Sequence, residues 1–216
     1  TGLRIGMVEG LHRVVITGLG AVTPIGNTVQ DYWNGLTSGR NGVGGITLFD
    51  ASNHACRFAA EVKAFDPAGL IEPKEAKRWD RFCKFGVVAA KQAISHAGLE
   101  ITDANAHRIG MIIGSGVGGL LTMETQAHVL EGKGPGRVSP FTVPMMIPNM
   151  ASGLAAIALG TKGPSSAVAT ACAAGSNAIG DAFRLLQLGK ADAMVCGGAE
   201  SAITPLGVAG FASAKA

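Results

Sequence analysis

The period of apolar and polar positions changes along the chain, and each change marks an element. Val14, Val15 and Ile16 form a β-branched run ending at a glycine, so Arg13–Gly18 is predicted to be a buried strand. Thr28–Leu36 follows as a helix, with Asn27 or Thr28 as N-cap and Gly39 just beyond its end. Arg40–His54 is rich in Gly, Asn and Asp and reads as loop; Arg57–Val62 is a candidate strand, and Asp66-Pro67 opens a helical turn. Pro73–Ala97 is predicted as one long helix, with Phe82, Phe85, Ala89 and Ala93 on one face and Gly98 as terminator. Ile109–Ile113 is a second clear strand, followed by a glycine-rich turn and a helix over Leu120–Leu130. A proline-punctuated loop then leads to a helix over Pro148–Leu159. Ser166–Thr170 predicts a strand, Cys172–Leu188 a helix, and Ala193–Cys196 a strand that runs into Gly197-Gly198. This alternation predicts an α/β fold with a largely parallel or mixed sheet covered on both faces. With no repeat, linker or low-complexity segment, residues 1–216 read as a single domain.

Composition sharpens this picture. Apolar residues make up 47% of the chain and charged residues only 15%, against roughly 25% in ordinary globular proteins, which excludes disorder. Of 216 residues 32 are glycine, about twice the usual share, without the every-third-residue spacing of collagen. The net charge of +3 is too weak to point to nucleic acid. Val138–Thr161 carries no charge, but Pro140, Pro144, Pro148, Asn149 and Gly153 would break a membrane-spanning helix. With Gly163–Gly180, equally charge-free, it reads as buried interior or an oligomer interface. Thr1–Gly10 lacks the organisation of a signal peptide. Cys56, Cys83, Cys172 and Cys196 are irregularly spaced with no CxxC pair, which argues against a disulfide framework or zinc site and for a reducing compartment.

Two segments carry candidate chemistry. Gly114-Ser115-Gly116-Val117-Gly118-Gly119 fits GxGxxG between a strand and a helix, where a dinucleotide phosphate loop would lie. The acidic residue needed about 20 residues later is missing, since Gly132–Met150 holds no Asp or Glu. Gly18-Leu19-Gly20 is a second, poorer candidate, with Thr23 in place of the third glycine. The competing reading is that these glycines allow tight turns and close packing. In Ala167–Ser176 an apolar strand runs into Cys172, and a helix of Ala, Gly and Ser begins at once. The positive end of the helix and its unpaired N–H groups favour thiolate there and offer an oxyanion site, while small neighbours admit a bulky carbonyl. The alternative is a small buried hydrophobe, the common fate of a free cysteine. Cys83 and Cys196 read as core; Cys56 lies in a polar loop with nothing to activate it.

Thr170-Ala171-Cys172-Ala173-Ala174-Gly175 resembles the β-ketoacyl-acyl carrier protein synthases, particularly the elongating type II group. So do Arg13–Gly20, Ile113–Gly119, Val138-Ser139-Pro140-Phe141 through Asn149-Met150, Gly197–Glu200, Pro205-Leu206-Gly207 and Gly210-Phe211, all in the family's order. The resemblance implies the N-terminal half of a thiolase-like layered αβαβα fold with a mixed five-stranded sheet covered by helices, working as a homodimer without a cofactor or metal. It makes Cys172 the nucleophile that takes an acyl group from acyl carrier protein as a thioester. Decarboxylation of malonyl-acyl carrier protein then extends the chain by two carbons. It puts Val117 at the acyl pocket, Phe211 at the entrance, and Lys74, Lys77 and Arg78 against the acidic carrier protein; a solvated helix face is the alternative for that run. The family's two histidines, lysine and Gly-Phe-Gly-Gly loop belong to a second half, and His12, His54, His96, His107 and His128 stand in no such context; each is assigned a surface or capping role. The chain ends at Ala214-Lys215-Ala216, where the family continues, so this piece alone is expected to be inactive in condensation. A polyketide ketosynthase, another thiolase-like condensing enzyme such as a thiolase, a non-catalytic partner subunit and an NAD(P)-dependent oxidoreductase are the other readings. Bacterial cytoplasm and plastid or mitochondrial matrix are both open.

Overall fold

A computed structural model describes residues 10–216; the head segment read for a leader falls almost wholly outside them. Its centre is one strand, β3 (Ile109–Gly114), in which all six residues are buried. It pairs in parallel with β4 (Ser165–Ser166) on one side and β5 (Ala193–Gly198) on the other. Met111 and Ile113 face a cluster built from α3 (Arg81–Ala97) and α6 (Met150–Leu159). Ile112 faces Ala178 and Ala182 of α7 (Ala174–Gln187) on the opposite side. The central strand therefore carries apolar side chains on both faces, as a helix-covered parallel sheet requires.

Small residues set the layer spacing. On α7 the buried residues are Ala174, Ala178 and Ala182, one helical turn apart, so the helix can approach the sheet closely. On the other face, a Cβ at Gly86 of α3 would stand 3.3 Å from the Cβ atoms of Ala151 and Ala199. Ser152 of α6, fully buried, takes the Ile113 N–H at 2.9 Å and donates to the Met111 carbonyl at 3.2 Å. It thus serves Ile113, a position that the two-residue β4 is too short to pair, and adds a donor at Met111, which β4 already pairs.

Several predicted elements are redrawn. Helix α1 (Val29–Thr37) is as expected, with the Thr28 hydroxyl capping Asp31 N at 3.1 Å. Pro73–Ala97 is not one helix but α2 (Pro73–Ala76) and α3, separated because Asp80 caps α3 by accepting from Phe82 N at 3.2 Å. The other Asp80 oxygen accepts the Thr122 N–H and hydroxyl from α4 (Leu120–Lys133), which fastens two helices through one buried carboxylate. Helix α5 (Thr142–Met146) and helix α8 (Pro205–Ser213) were not predicted.

The expected mixed five-stranded sheet is instead a three-stranded parallel sheet beside a two-stranded antiparallel pair, β1 (Gly44–Gly45) with β2 (Phe58–Ala59). Arg13–Gly18 is extended but joins neither, and Val15 and Ile16 are 60% and 82% exposed. The reason lies just downstream. Gly18 and Gly20 press against the α3 backbone at Ala93 and Ala89, where any Cβ would collide. Leu19 N donates to His96 Nδ1 at 3.1 Å and Ala21 N to Gln92 Oε1 at 3.0 Å. The donors just past the segment thus go to helix side chains instead of a sheet edge. No helix of the described residues is long and apolar enough to cross a membrane.

Candidate active site

Past β4 the chain stays extended, and Val168 accepts Ser115 N at 3.1 Å. At Ala171 it turns through the left-handed region, φ +50°, which costs a residue with a Cβ about 1–3 kcal/mol. Ala171–Ala173 form a single 3-10 turn and α7 starts at Ala174. This sharp strand-to-helix reversal leaves Cys172 exposed at its tip, immediately before the helix N-terminus. Cys172 is the one exposed cysteine of the four. Cys83 is completely buried; desolvation, reinforced by the Asp80 charge, pushes its thiol pKa far up. Burial raises the Cys196 thiol as well. Both fit the core roles read from the sequence.

The glycine-rich loop after β3 runs beside the elbow, a Cβ at Gly116 standing 3.5 Å from Ala171 Cα. Its N–H groups are already taken. Glu200, two residues past β5, accepts Gly116 N at 2.7 Å and Val117 N at 3.0 Å through one carboxylate oxygen. The Ser115 hydroxyl donates to the same carboxylate at 3.3 Å and accepts Gly118 N at 3.0 Å. The site where a dinucleotide phosphate loop would hold its ligand is thus filled by an internal carboxylate. Close approach explains other glycines: a Cβ at Gly114 would stand 2.6 Å from the Ala174 carbonyl, and one at Gly175 3.2 Å from Gly198 N. These glycines bring the ends of β3, β5 and α7 together around the cysteine.

The remaining predicted residues spread further. Val117 lies in the glycine loop, 42% exposed and held through its N–H by Glu200. Phe211 is exposed on α8, whose start is tied to α4 instead of to the elbow: Glu124 accepts the Thr204 hydroxyl and Leu206 N. Lys74 belongs to α2; Lys77 and Arg78 lie in the turn into α3, all three exposed. The Arg78 guanidinium sits 4.7 Å from the Phe141 ring centroid. Two histidines do more than fill the surface or capping role assigned to them. His96 anchors Leu19, and His54 packs on Phe49 and bonds the Pro205 carbonyl at 3.2 Å, so both fasten loops. Among the described residues no cluster of His, Cys, Asp or Glu could hold a metal ion.

Sequence reasoning missed the left-handed Ala171 and the Glu200 clamp. The first has no residue signature. The second had one: Glu200 is the only acidic residue after Asp192, placed at the end of a predicted strand.

A parallel α/β core with a cysteine on a strained strand-to-helix elbow defines the chain as the N-terminal half of a thiolase-like fold. Solved structures bear this out. The ishigamide ketosynthase/chain length factor superposes with a TM-score of 0.86 at 29% identity, covering 95% of this chain and 51% of that one. A β-ketoacyl synthase from Burkholderia phymatum STM815 follows at 0.79 and 28%, covering 93% and 49%. The chain belongs to the β-ketoacyl synthase family, matching the family's N-terminal domain over residues 11–216. It is 65% identical to 3-oxoacyl-[acyl-carrier-protein] synthase 2 of Synechocystis sp. (strain ATCC 27184 / PCC 6803 / Kazusa) across 94% of this chain and 49% of the relative. It is 50% identical to the protein of that name in Staphylococcus aureus (strain N315), with the same shares covered. The chain spans about half the length of these relatives.

Proposed function

We propose that residues 11–216 form one domain that supplies the nucleophile half of a 3-oxoacyl-[acyl carrier protein] synthase of fatty acid elongation, acting as a homodimer. The Cys172 thiolate attacks the carbonyl carbon of an acyl thioester on the carrier protein. A new C–S bond forms at Cys172, the bond to the carrier sulfur breaks, and the carrier thiol takes up the proton. Malonyl-acyl carrier protein then loses CO2, and its carbanion attacks the Cys172 thioester. This releases the cysteine and leaves a 3-ketoacyl carrier two carbons longer. Val117 borders the acyl chain and Phe211 the entrance, while Lys74, Lys77 and Arg78 receive the acidic carrier. We place the reaction in bacterial cytoplasm or a plastid or mitochondrial matrix.

The observation that carries this reading is the Ala171 elbow, which presents Cys172 to solvent beside the first turn of α7. Backbone N–H groups at such a turn suit an oxyanion. His96 lies on α3, His128 on α4 and the other histidines in loops or a 3-10 turn, none of them within the elbow segment, so only the acyl-transfer half-reaction is assigned to these residues. A polyketide ketosynthase is the second reading. It is favoured by the likeness to a type II polyketide synthase ketosynthase solved with its acyl carrier protein and bound to the hexaketide (TM-score 0.78, 25% identity). The 65% identity to a 3-oxoacyl-[acyl-carrier-protein] synthase 2 favours the first.

The test is incubation with octanoyl-acyl carrier protein followed by peptide mass analysis. The octanoyl mass should appear on the Cys172 peptide, be removed by hydroxylamine, and be lost in Cys172→Ala. Acyl label on Cys56 with none on Cys172 would sink the assignment.

A further inference from the structure

We propose that the cleft between the α2–α3 turn and α4 binds an amphiphilic anion, a carboxylate or phosphate carried on a short apolar chain. The cleft encloses about 420 Å3, within the size range of small-molecule sites, and shares no lining residue with the Cys172 elbow. Phe65, Trp79, Leu121 and Met145 supply an apolar wall, beside the neutral polar Thr122, Thr125 and Gln126 of α4. Three cations, Lys77, Arg81 and Lys84, line the same space.

The charges are what make this a site for an anion. Asp80 is the only acidic residue lining the cleft, and both its oxygens are engaged, one by Phe82 N and the other by the Thr122 N–H and hydroxyl. Arg81 gives one N–H to the Val62 carbonyl at 2.9 Å and lies 5.1 Å from the Phe85 ring centroid, which leaves further donors free. Among the described residues Lys77 and Lys84 donate to no acceptor and join no ion pair. Lys77 is exposed and well hydrated, but Lys84 is half-buried on α3. Desolvation, opposed in part by the Asp80 charge, lowers the Lys84 pKa. A half-buried ammonium without a partner is unfavourable, and a bound anion would relieve that cost. A head group between Lys84, Arg81 and Lys77 leaves its apolar chain against Trp79, Phe65 and Leu121. This inference does not rest on the condensation reaction.

Trp79 reports on occupancy directly. Trp33, the other tryptophan, is 60% exposed on α1 and can be replaced by Phe, leaving Trp79 as the single emitter. The full chain carrying Trp33→Phe is titrated with octanoate, octyl phosphate, octanol and inorganic phosphate. Octanoate or octyl phosphate should change Trp79 emission saturably, the tighter of the two assigning the head group. Octanol and inorganic phosphate should bind about tenfold more weakly or less. Lys84→Met should weaken the anion about tenfold without lowering Tm; should that variant unfold, Lys77→Met on the exposed rim should still weaken it severalfold. Equal binding of octanol and octanoate, full retention in a folded Lys84→Met, or no Trp79 response to either anion overturns the proposal.

Discussion

Individual side chains here are fixed mainly by what they accept. Three carboxylates, Asp80, Glu61 and Glu200, each collect N–H and hydroxyl donors from a segment distant in sequence, a helix for Asp80 and loops for the other two. Glu61, 2% exposed, is the most enclosed of them. It takes Thr47 N at 2.9 Å, the Thr47 hydroxyl at 2.7 Å and Leu48 N at 3.1 Å. Burial alone would raise its pKa, but the Thr47 and Leu48 hydrogen bonds and the Lys63 charge outweigh burial and hold it below 4.5. A folded-state pKa below the unfolded one means that this stabilisation is complete above about pH 4.5 and disappears as pH falls through the folded value. Urea unfolding from pH 7 to pH 3 should therefore show a Glu61→Gln variant less stable than the parent at pH 7. The two should converge at the acid end. A stability difference independent of pH would mean that the carboxylate charge contributes nothing.

At the scale of elements, the shortness of β4 matters most. A two-residue strand cannot serve the whole of β3, and beyond its reach Ser152 of α6 takes the Ile113 N–H. Ser152→Ala leaves the Ile113 N–H buried without a partner, which should cost about 1–3 kcal/mol. Ser152→Thr keeps the hydroxyl but adds a methyl to a closed interior, so it should recover only part of that loss in denaturant midpoints. The same short strands explain which elements are legible in the chain. Long periodic helices such as α1, α3 and α7 and the apolar β3 announce themselves, because eight or more residues of consistent period leave little choice. The two-residue β1 has no period to read, while β2 and β4 are short pairings within or at the edge of the segments read as longer strands, Arg57–Val62 and Ser166–Thr170. The Asp80 cap hides between two helical patterns in phase with each other. Arg13–Gly18 has the composition of a strand, yet the contacts of Gly18 and Gly20 with α3 decide its place. At the site, the cysteine and its strand–helix setting are legible, since they are local. The Glu200 clamp and the left-handed Ala171 arise from tertiary packing, which single-chain patterns do not encode.

Over the whole molecule, the distribution of apolar surface is uneven. One side of α7 is sealed by alanines against β3, while its outer side presents Ile179 at 52% and Phe183 at 44% exposure. Leu188 beyond its end and Leu206 and Phe211 on α8 are more than half exposed as well. Scattered apolar residues are ordinary on a surface, but Ile179 and Phe183, one turn apart on one helix face, are the kind of pair an interface would cover. Few charges interrupt them, Asp181 and Arg184 being the exceptions on α7. Covering such a face in a second copy removes it from water at roughly 25 cal/mol per Å2. The chain should accordingly self-associate, with sedimentation equilibrium at rising micromolar concentration giving a mass that moves from monomer to dimer. Phe183→Glu adds a charge to the outer face without touching the alanine seal, so it should hold the chain monomeric while leaving Tm at low concentration unchanged. A wild-type chain that stays monomeric at high micromolar concentration would remove self-association as the use of this face. An oligomer that survives Phe183→Glu would move the interface off the outer side of α7.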